Sequence, residues 1–158
     1  MSNKREETKV ISRSVKETDK IAKIFLKKIL EDFSPCDSAS VIGLVGNLGA
    51  GKTTFMQAVA KHLGIKDKVR SPTFVIIKKY PLEKNQKNKK YDFLFHLDAY
   101  RLSSEKELLS LGWKEIIENE KNLVFVEWPE NVGKIIPPHT KFIHISDDKD
   151  KQKNFELK

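Results

Sequence analysis

Residues 46–54 read Gly46-Asn47-Leu48-Gly49-Ala50-Gly51-Lys52-Thr53-Thr54, which meets the phosphate-binding pattern G-x-x-x-x-G-K-[ST] at every fixed position. The flanks have the form this pattern needs. Ahead of it, Val41-Ile42-Gly43-Leu44-Val45 is a short apolar run of the kind that makes a buried strand. Behind it, Phe55 to Leu63 has helical spacing that Gly64 stops. Strand, glycine-rich loop and helix in this order predict a P-loop NTPase domain. The glycines let successive N–H groups turn inward on phosphate oxygens, and the positive end of the following helix dipole strengthens that field. In this pattern Asn47, Leu48, Gly49, Ala50, Gly51, Lys52, Thr53 and Thr54 surround the nucleotide. Lys52 reaches the β- and γ-phosphates, and the Thr53 hydroxyl ligates Mg²⁺.

The rest of the chain sets the frame. Its 158 residues suffice for one domain, 1–158, with a real core, and are too few for two ordinary ones. No apolar run approaches a membrane span, and the first residues carry no secretory h-region, so a cytoplasmic protein without membrane attachment is expected. Cys36 is the only cysteine, which excludes an internal disulfide framework and a thiolate metal cluster. The net charge of +8 gathers in two lysine clusters, Lys84 to Lys90 and Lys149 to Lys153. Such clusters make a surface for RNA or an acidic partner, or simply a solvated loop and tail. No aromatic residue interleaves the lysines, so a base-stacking platform is not visible.

Residues 8–13 form a short predicted strand. Ser14-Val15-Lys16-Glu17 has capping-box form ahead of a helix that buries Ile21, Ala22, Phe25, Leu26, Ile29, Leu30 and Phe33 and ends near Pro35. Residues 74–80 and 91–97 are read as two strands of an antiparallel hairpin with the lysine cluster at its tip. Residues 104–118 are predicted helical, burying Leu108, Leu109, Leu111, Trp113, Ile116 and Ile117. Leu123-Val124-Phe125-Val126 reads as a strand covered on both faces, and Phe142-Ile143-His144-Ile145 as the last strand. Residues 1–7 and about 147–158 are expected to be flexible. The expected architecture is a single α/β P-loop domain, a mixed sheet with a parallel core flanked by helices and one antiparallel hairpin.

A phosphate loop only holds a nucleotide; hydrolysis or transfer also needs an acid near the cation and a group to orient the nucleophile. Ligands of open α/β sheets lie at the carboxyl ends of the strands. Two apolar strands here end in an acid, at Asp98 and at Glu127, and either suits the Walker-B position. Ser71-Pro72-Thr73 is a rigid turn with two hydroxyls, suited to a loop that senses the γ-phosphate or to an ordinary β-turn. His96 and His144 alternate with apolar residues and read as packed or edge histidines, and the four histidines show no metal-ligand spacing. The N-K-x-D and D-x-x-G elements of guanine-specific NTPases are absent. No arginine cluster follows the loop, which weakens a small-molecule kinase reading.

Taken together, Gly46 to Thr54, Ser71-Pro72-Thr73, His96-Leu97-Asp98-Ala99-Tyr100-Arg101-Leu102, Glu107 to Gly112 and Glu127-Trp128-Pro129 resemble the TsaE (YjeE) family, in that family's order, from about Ser14 to Ile145. The resemblance implies a small ATPase, using ATP and Mg²⁺, needed to make N6-threonylcarbamoyladenosine in tRNA. It implies action with the transferase TsaD and with TsaB, whose complex ATP hydrolysis resets between turnovers. By motif, Lys52 and the loop amides bind phosphate, and Thr53 and Glu127 hold Mg²⁺. Asp98 fills the Walker-B position and organises the attacking water, Thr73 belongs to a switch-like loop, and Glu17-Thr18 matches an element near the nucleotide. Lys52, Thr73 and Asp98 are then the candidate catalytic set. Asn47 departs from the family's usual Asp. The basic surface gains a second reading, a face for tRNA or for an acidic patch on the TsaB–TsaD complex. Small-molecule phosphorylation and nucleotide-gated binding without turnover are the rival readings.

Overall fold

The computed structural model describes residues 8–32, 37–72 and 75–158. Seven strands form one sheet in the order β1-β7-β6-β2-β5-β4-β3. These are β1 (Thr8–Ser12), β2 (Ser40–Val45), β3 (Ile77–Pro81), β4 (Phe93–Asp98), β5 (Asn122–Glu127), β6 (Lys141–Asp147) and β7 (Lys153–Leu157). The four central strands β6, β2, β5 and β4 run parallel. Antiparallel pairs flank them, β3 with β4 on one side and β6 with β7 and β7 with β1 on the other.

The parallel centre follows from burial on both faces, because each strand must supply apolar side chains up and down. In β2, Ile42 and Leu44 join the core under α1 (Val15–Asp32) and α2 (Lys52–His62), with Phe25, Phe55 and Phe125. Val41 faces the opposite way, into a second core with Val124, Val126, Leu108 and Trp113. The α1 start is a variant of the predicted capping box: the Glu17 N–H donates to Ser14 Oγ at 3.1 Å, while Glu17 Oε2 accepts the N–H of Arg13, one residue ahead of the cap, at 2.6 Å.

Two expectations are corrected. The tail is not free from 147 onward, because residues 153–157 make β7, inserted between β6 and β1. Asp148 builds the turn by accepting the N–H groups of Asp150 and Gln152 at Oδ1, and Phe155 and Leu157 are buried. The sheet therefore carries a second antiparallel hairpin, β6–β7, besides β3–β4. The helix expected over 104–118 is two short ones, α3 (Glu105–Ser110) and α4 (Trp113–Ile117), separated at Gly112, whose φ is +86°. Leu109 and Leu111 face outward, each 46% exposed, and Leu108 and Trp113 are the fully buried pair. A 3₁₀ segment, Pro129–Ile135, follows β5. The expected burial of Phe33 and the helix end at Pro35 lie outside the described residues, as do residues 1–7.

The lysine-rich connection of β3 to β4 is an ordered turn. Asn85 Oδ1 accepts the Lys87 and Asn88 N–H groups, and the buried Asn88 side chain bonds the Glu83 and Tyr91 carbonyls and the Tyr91 N–H. Among the described residues, no helix is long and apolar enough to cross a membrane.

Candidate functional site

The chain leaves β2 at Val45 and turns through residues 46–51 into the first turn of α2. Two glycines are required by space and backbone. A Cβ on Gly46 would sit 2.6 Å from the Ile145 carbonyl oxygen, and Gly51 has φ +106°, a conformation costly for any other residue. The Ala50 N–H closes on the Asn47 carbonyl at 3.0 Å, which folds the loop back over the helix start.

The Lys52 side chain crosses this curl. Its ammonium donates to the carbonyls of Gly46 and of Asn47, the latter at 3.0 Å, and lies 4.4 Å from the centre of the Trp128 ring. Burial pushes its pKa below the ordinary lysine value of 10.5, and Glu127, Glu130 and Asp98 offset that only in part. A bound polyphosphate would bring the pKa back up. A polyphosphate bound at this lysine would therefore take up a proton in the window between the lowered value and 10.5, and its affinity would fall as pH rises through it. Calorimetry in two buffers of different ionisation enthalpy reads that uptake; equal heats across the window would refute it.

The two strand-ending acids meet across the sheet. β4 and β5 are parallel and register Asp98 directly against Glu127, so both carboxylates emerge at one level on one face. That face is the one under α2, since Leu94 and Phe125 join its core while Leu97 and Val126 join the other. Asp98 Oδ1 accepts the Tyr100 N–H at 2.9 Å, and Oδ2 accepts the Ser71 hydroxyl at 3.1 Å. The Ser71-Pro72 turn is thus tied to Asp98, and the Asp98 N–H donates to the carbonyl of Ile76, a residue at φ +69°. Thr73 itself lies outside the described residues.

Directly after Glu127, Trp128 adopts a left-handed conformation (φ 56°, ψ 48°), uncommon for a bulky residue. That turn swings its ring over Lys52 and to 5.0 Å from the Tyr100 ring. Asn131 holds the Tyr100 side of this arrangement by donating to the Ala99 carbonyl at 2.9 Å.

These groups line one cleft of about 320 Å³. Leu48, Gly49, Gly51, Lys52, Thr53 and Thr54 form its loop side; Ser71, Asp98, Tyr100, Glu127 and Trp128 form the other. Asn47 is exposed and Ala50 buried, and neither side chain is in the lining. Thr18 is also outside it, its hydroxyl 2.8 Å from that of Ser12. A larger cavity of about 590 Å³ lies between α1, the end of α2 and the lysine turn, but holds neither the loop nor either strand-end acid.

A sequence profile described as "Threonylcarbamoyl adenosine biosynthesis protein TsaE" matches residues 12–155, nearly the whole of this framework. The chain belongs to the TsaE family. It is 34% identical over 126 residues to the tRNA threonylcarbamoyladenosine biosynthesis protein TsaE of Rickettsia prowazekii, covering 79% of this chain and 76% of that one. The TsaE protein of Treponema pallidum is 30% identical over 135 residues, 85% of this chain and 88% of the relative. The crystal structure of YdiB from Bacillus subtilis superposes with a TM-score of 0.71 at 28% identity, covering 99% of this chain and 87% of that one.

One cleft neighbour of this TsaE chain escaped the sequence reading. Lys153 of β7 donates to the Gly49 carbonyl at 3.2 Å and pairs with Asp147 at 2.5 Å, so the tail touches the phosphate loop. Nothing local in the sequence signals a contact across 104 positions.

Proposed function

We propose that the chain binds ATP with Mg²⁺ in the phosphate-loop cleft and hydrolyses it in support of threonylcarbamoyladenosine formation in tRNA, acting with the TsaB–TsaD complex. The observation that carries this reading is the meeting of Lys52, Thr53, Asp98 and Glu127 in one cleft at the carboxyl ends of the parallel strands. Among the described residues, no group of three or more His, Cys, Asp or Glu could hold a metal ion alone. That donor set fits Mg²⁺ entering with a nucleotide, since this ion keeps waters and phosphate oxygens and takes only one or two protein carboxylates. Thr53 and Glu127 are the residues to hold it. When bound, it neutralises charge developing on the phosphates. Lys52 would exchange its loop carbonyls for phosphate oxygens. Asp98, fixed by Tyr100 and Ser71, would orient the attacking water.

Phosphate release by the purified chain, alone and with TsaB and TsaD, tests the reading. We expect slow turnover alone and about 10³-fold faster turnover with the complex, the lower end of the effect of a charge-stabilising group supplied in trans. An unchanged rate with the complex, together with ADP production driven by a small acceptor, would favour the kinase reading instead. Glu127→Ala is expected to lose about tenfold or more of the affinity that Mg²⁺ confers on nucleotide binding, as metal-site changes do; equal Mg²⁺ dependence in both proteins would remove Glu127 from the site. Replacing Lys87, Lys89 and Lys90 together with Glu is expected to weaken binding to TsaB–TsaD rather than to tRNA. The aromatic ring beside that turn, Tyr91, is buried and Lys90 lies 5.2 Å from its centre, so it offers no stacking face. Selective loss of tRNA binding would reverse that assignment.

A further inference from the structure

His96 is fully buried in β4, and among the described residues neither ring nitrogen has a hydrogen-bond partner. Buried polar atoms are rarely left so, and an orphan calls for an explanation beyond packing. Its surroundings supply one. His96 is two residues before Asp98 and therefore on the same face of β4, the face under α2. Its register partner on β5 is Phe125, and Glu127 follows two positions later on that face. The ring thus stands one step deeper in the sheet than the two acids. Its Nε2 is 3.6 Å from Oε2 of the buried Glu127, close but too long for a hydrogen bond.

We propose that His96 is a positioning residue for Glu127. The inference rests on the reading of Glu127 as a nucleotide–cation ligand. When the carboxylate engages the cation, a shift of under about 1 Å brings the ring N–H into hydrogen-bond range of one oxygen. That bond holds the carboxylate plane and presents the other oxygen to the cleft, as partners behind a metal ligand do. A rigid strand position suits the task, because the ring cannot follow the carboxylate away. The neighbouring side chains on the strand, Phe95 and Leu97, point into the other core and cannot perform it. Packing alone would be met as well by an apolar side chain of similar bulk, which would leave no orphaned nitrogens.

The test compares His96→Leu, which keeps bulk and removes the donor, with His96→Gln, whose amide nitrogen reaches the place of Nε2. Mn²⁺ affinity in the presence of ADP is read by electron paramagnetic resonance, and ADP affinity without metal by calorimetry. We expect His96→Leu to weaken Mn²⁺ binding about tenfold, with metal-free ADP affinity within about twofold, and His96→Gln to restore most of the loss. If wild-type protein takes up no Mn²⁺ with ADP, the nucleotide reading fails and this inference with it. If the wild type binds normally and a folded His96→Leu protein matches it, the inference alone is overturned. Equal losses with and without metal in both variants also overturn it, because they mark a purely structural residue. Should His96→Leu not fold, ¹⁵N-histidine spectra of the wild type decide. A His96 ring N–H signal that becomes slow to exchange on adding Mg²⁺ to the ADP complex supports the bond, and an unchanged signal overturns it.

Discussion

Asp98→Asn is expected to lower ATP hydrolysis about 10²–10³-fold, the range for removing one well-placed charged or proton-accepting group, while the nucleotide dissociation constant stays within about threefold. The carboxylate is the group that differs between the two proteins. The amide keeps an oxygen to accept the Tyr100 N–H, now received at 2.9 Å, so the turn after β4 survives. It loses the full negative charge beside Glu127 and the capacity to draw a proton from water. On the proposed reading, binding rests instead on Lys52, the loop amides and Thr53, whose groups all remain in the cleft of the variant. Single-turnover phosphate release and equilibrium binding of a non-hydrolysable ATP analogue separate the two effects. Full turnover in the variant would remove Asp98 from the reaction; parallel loss of binding and turnover would make it a binding group.

Phe155→Ala should destabilise the protein by about 3–5 kcal/mol, the cost of deleting a buried aromatic side chain. Phe155 is 1% exposed, its ring 5.6 Å from that of Phe55 on α2 and 6.5 Å from that of Phe25 on α1. It pairs with Ile145 on one side and Val10 on the other, so the cavity would open where two antiparallel strands and both helices converge. For a chain of this size the melting temperature should fall by about 6–20 °C. Gln152→Ala in the adjoining turn should change stability by less than about 0.5 kcal/mol. A loss under about 1 kcal/mol for Phe155→Ala would mean that β7 is an accessory strand. Because Lys153 of the same strand bonds the Gly49 carbonyl, we also expect weaker nucleotide binding before global unfolding.

The legibility of these features followed their range along the chain. The loop motif was readable because its four fixed positions, Gly46, Gly51, Lys52 and Thr53, lie within one short stretch, and the flanking strand and helix declare themselves by local periodicity. The α1 cap was readable for the same reason. The helix expected over 104–118 was half right: the apolar spacing is helical, but a periodic count cannot see the φ of +86° at Gly112 that splits it into two short helices. β7 was invisible because two apolar residues, Phe155 and Leu157, in a lysine-rich tail give no pattern until partner strands accept them.

Residue identity and short spacing alone carried the α/β class, the G-x-x-x-x-G-K-[ST] motif, the two strand-ending acids and the family resemblance. Only the assembled sheet sets Asp98 beside Glu127, places the His96 ring 3.6 Å behind Glu127 with no hydrogen bond among the described residues, and carries Lys153 to the loop. The reason is physical. Local dihedral preference and periodicity are set by near neighbours, whereas strand order and register are set by pairing and burial shared across the whole sheet.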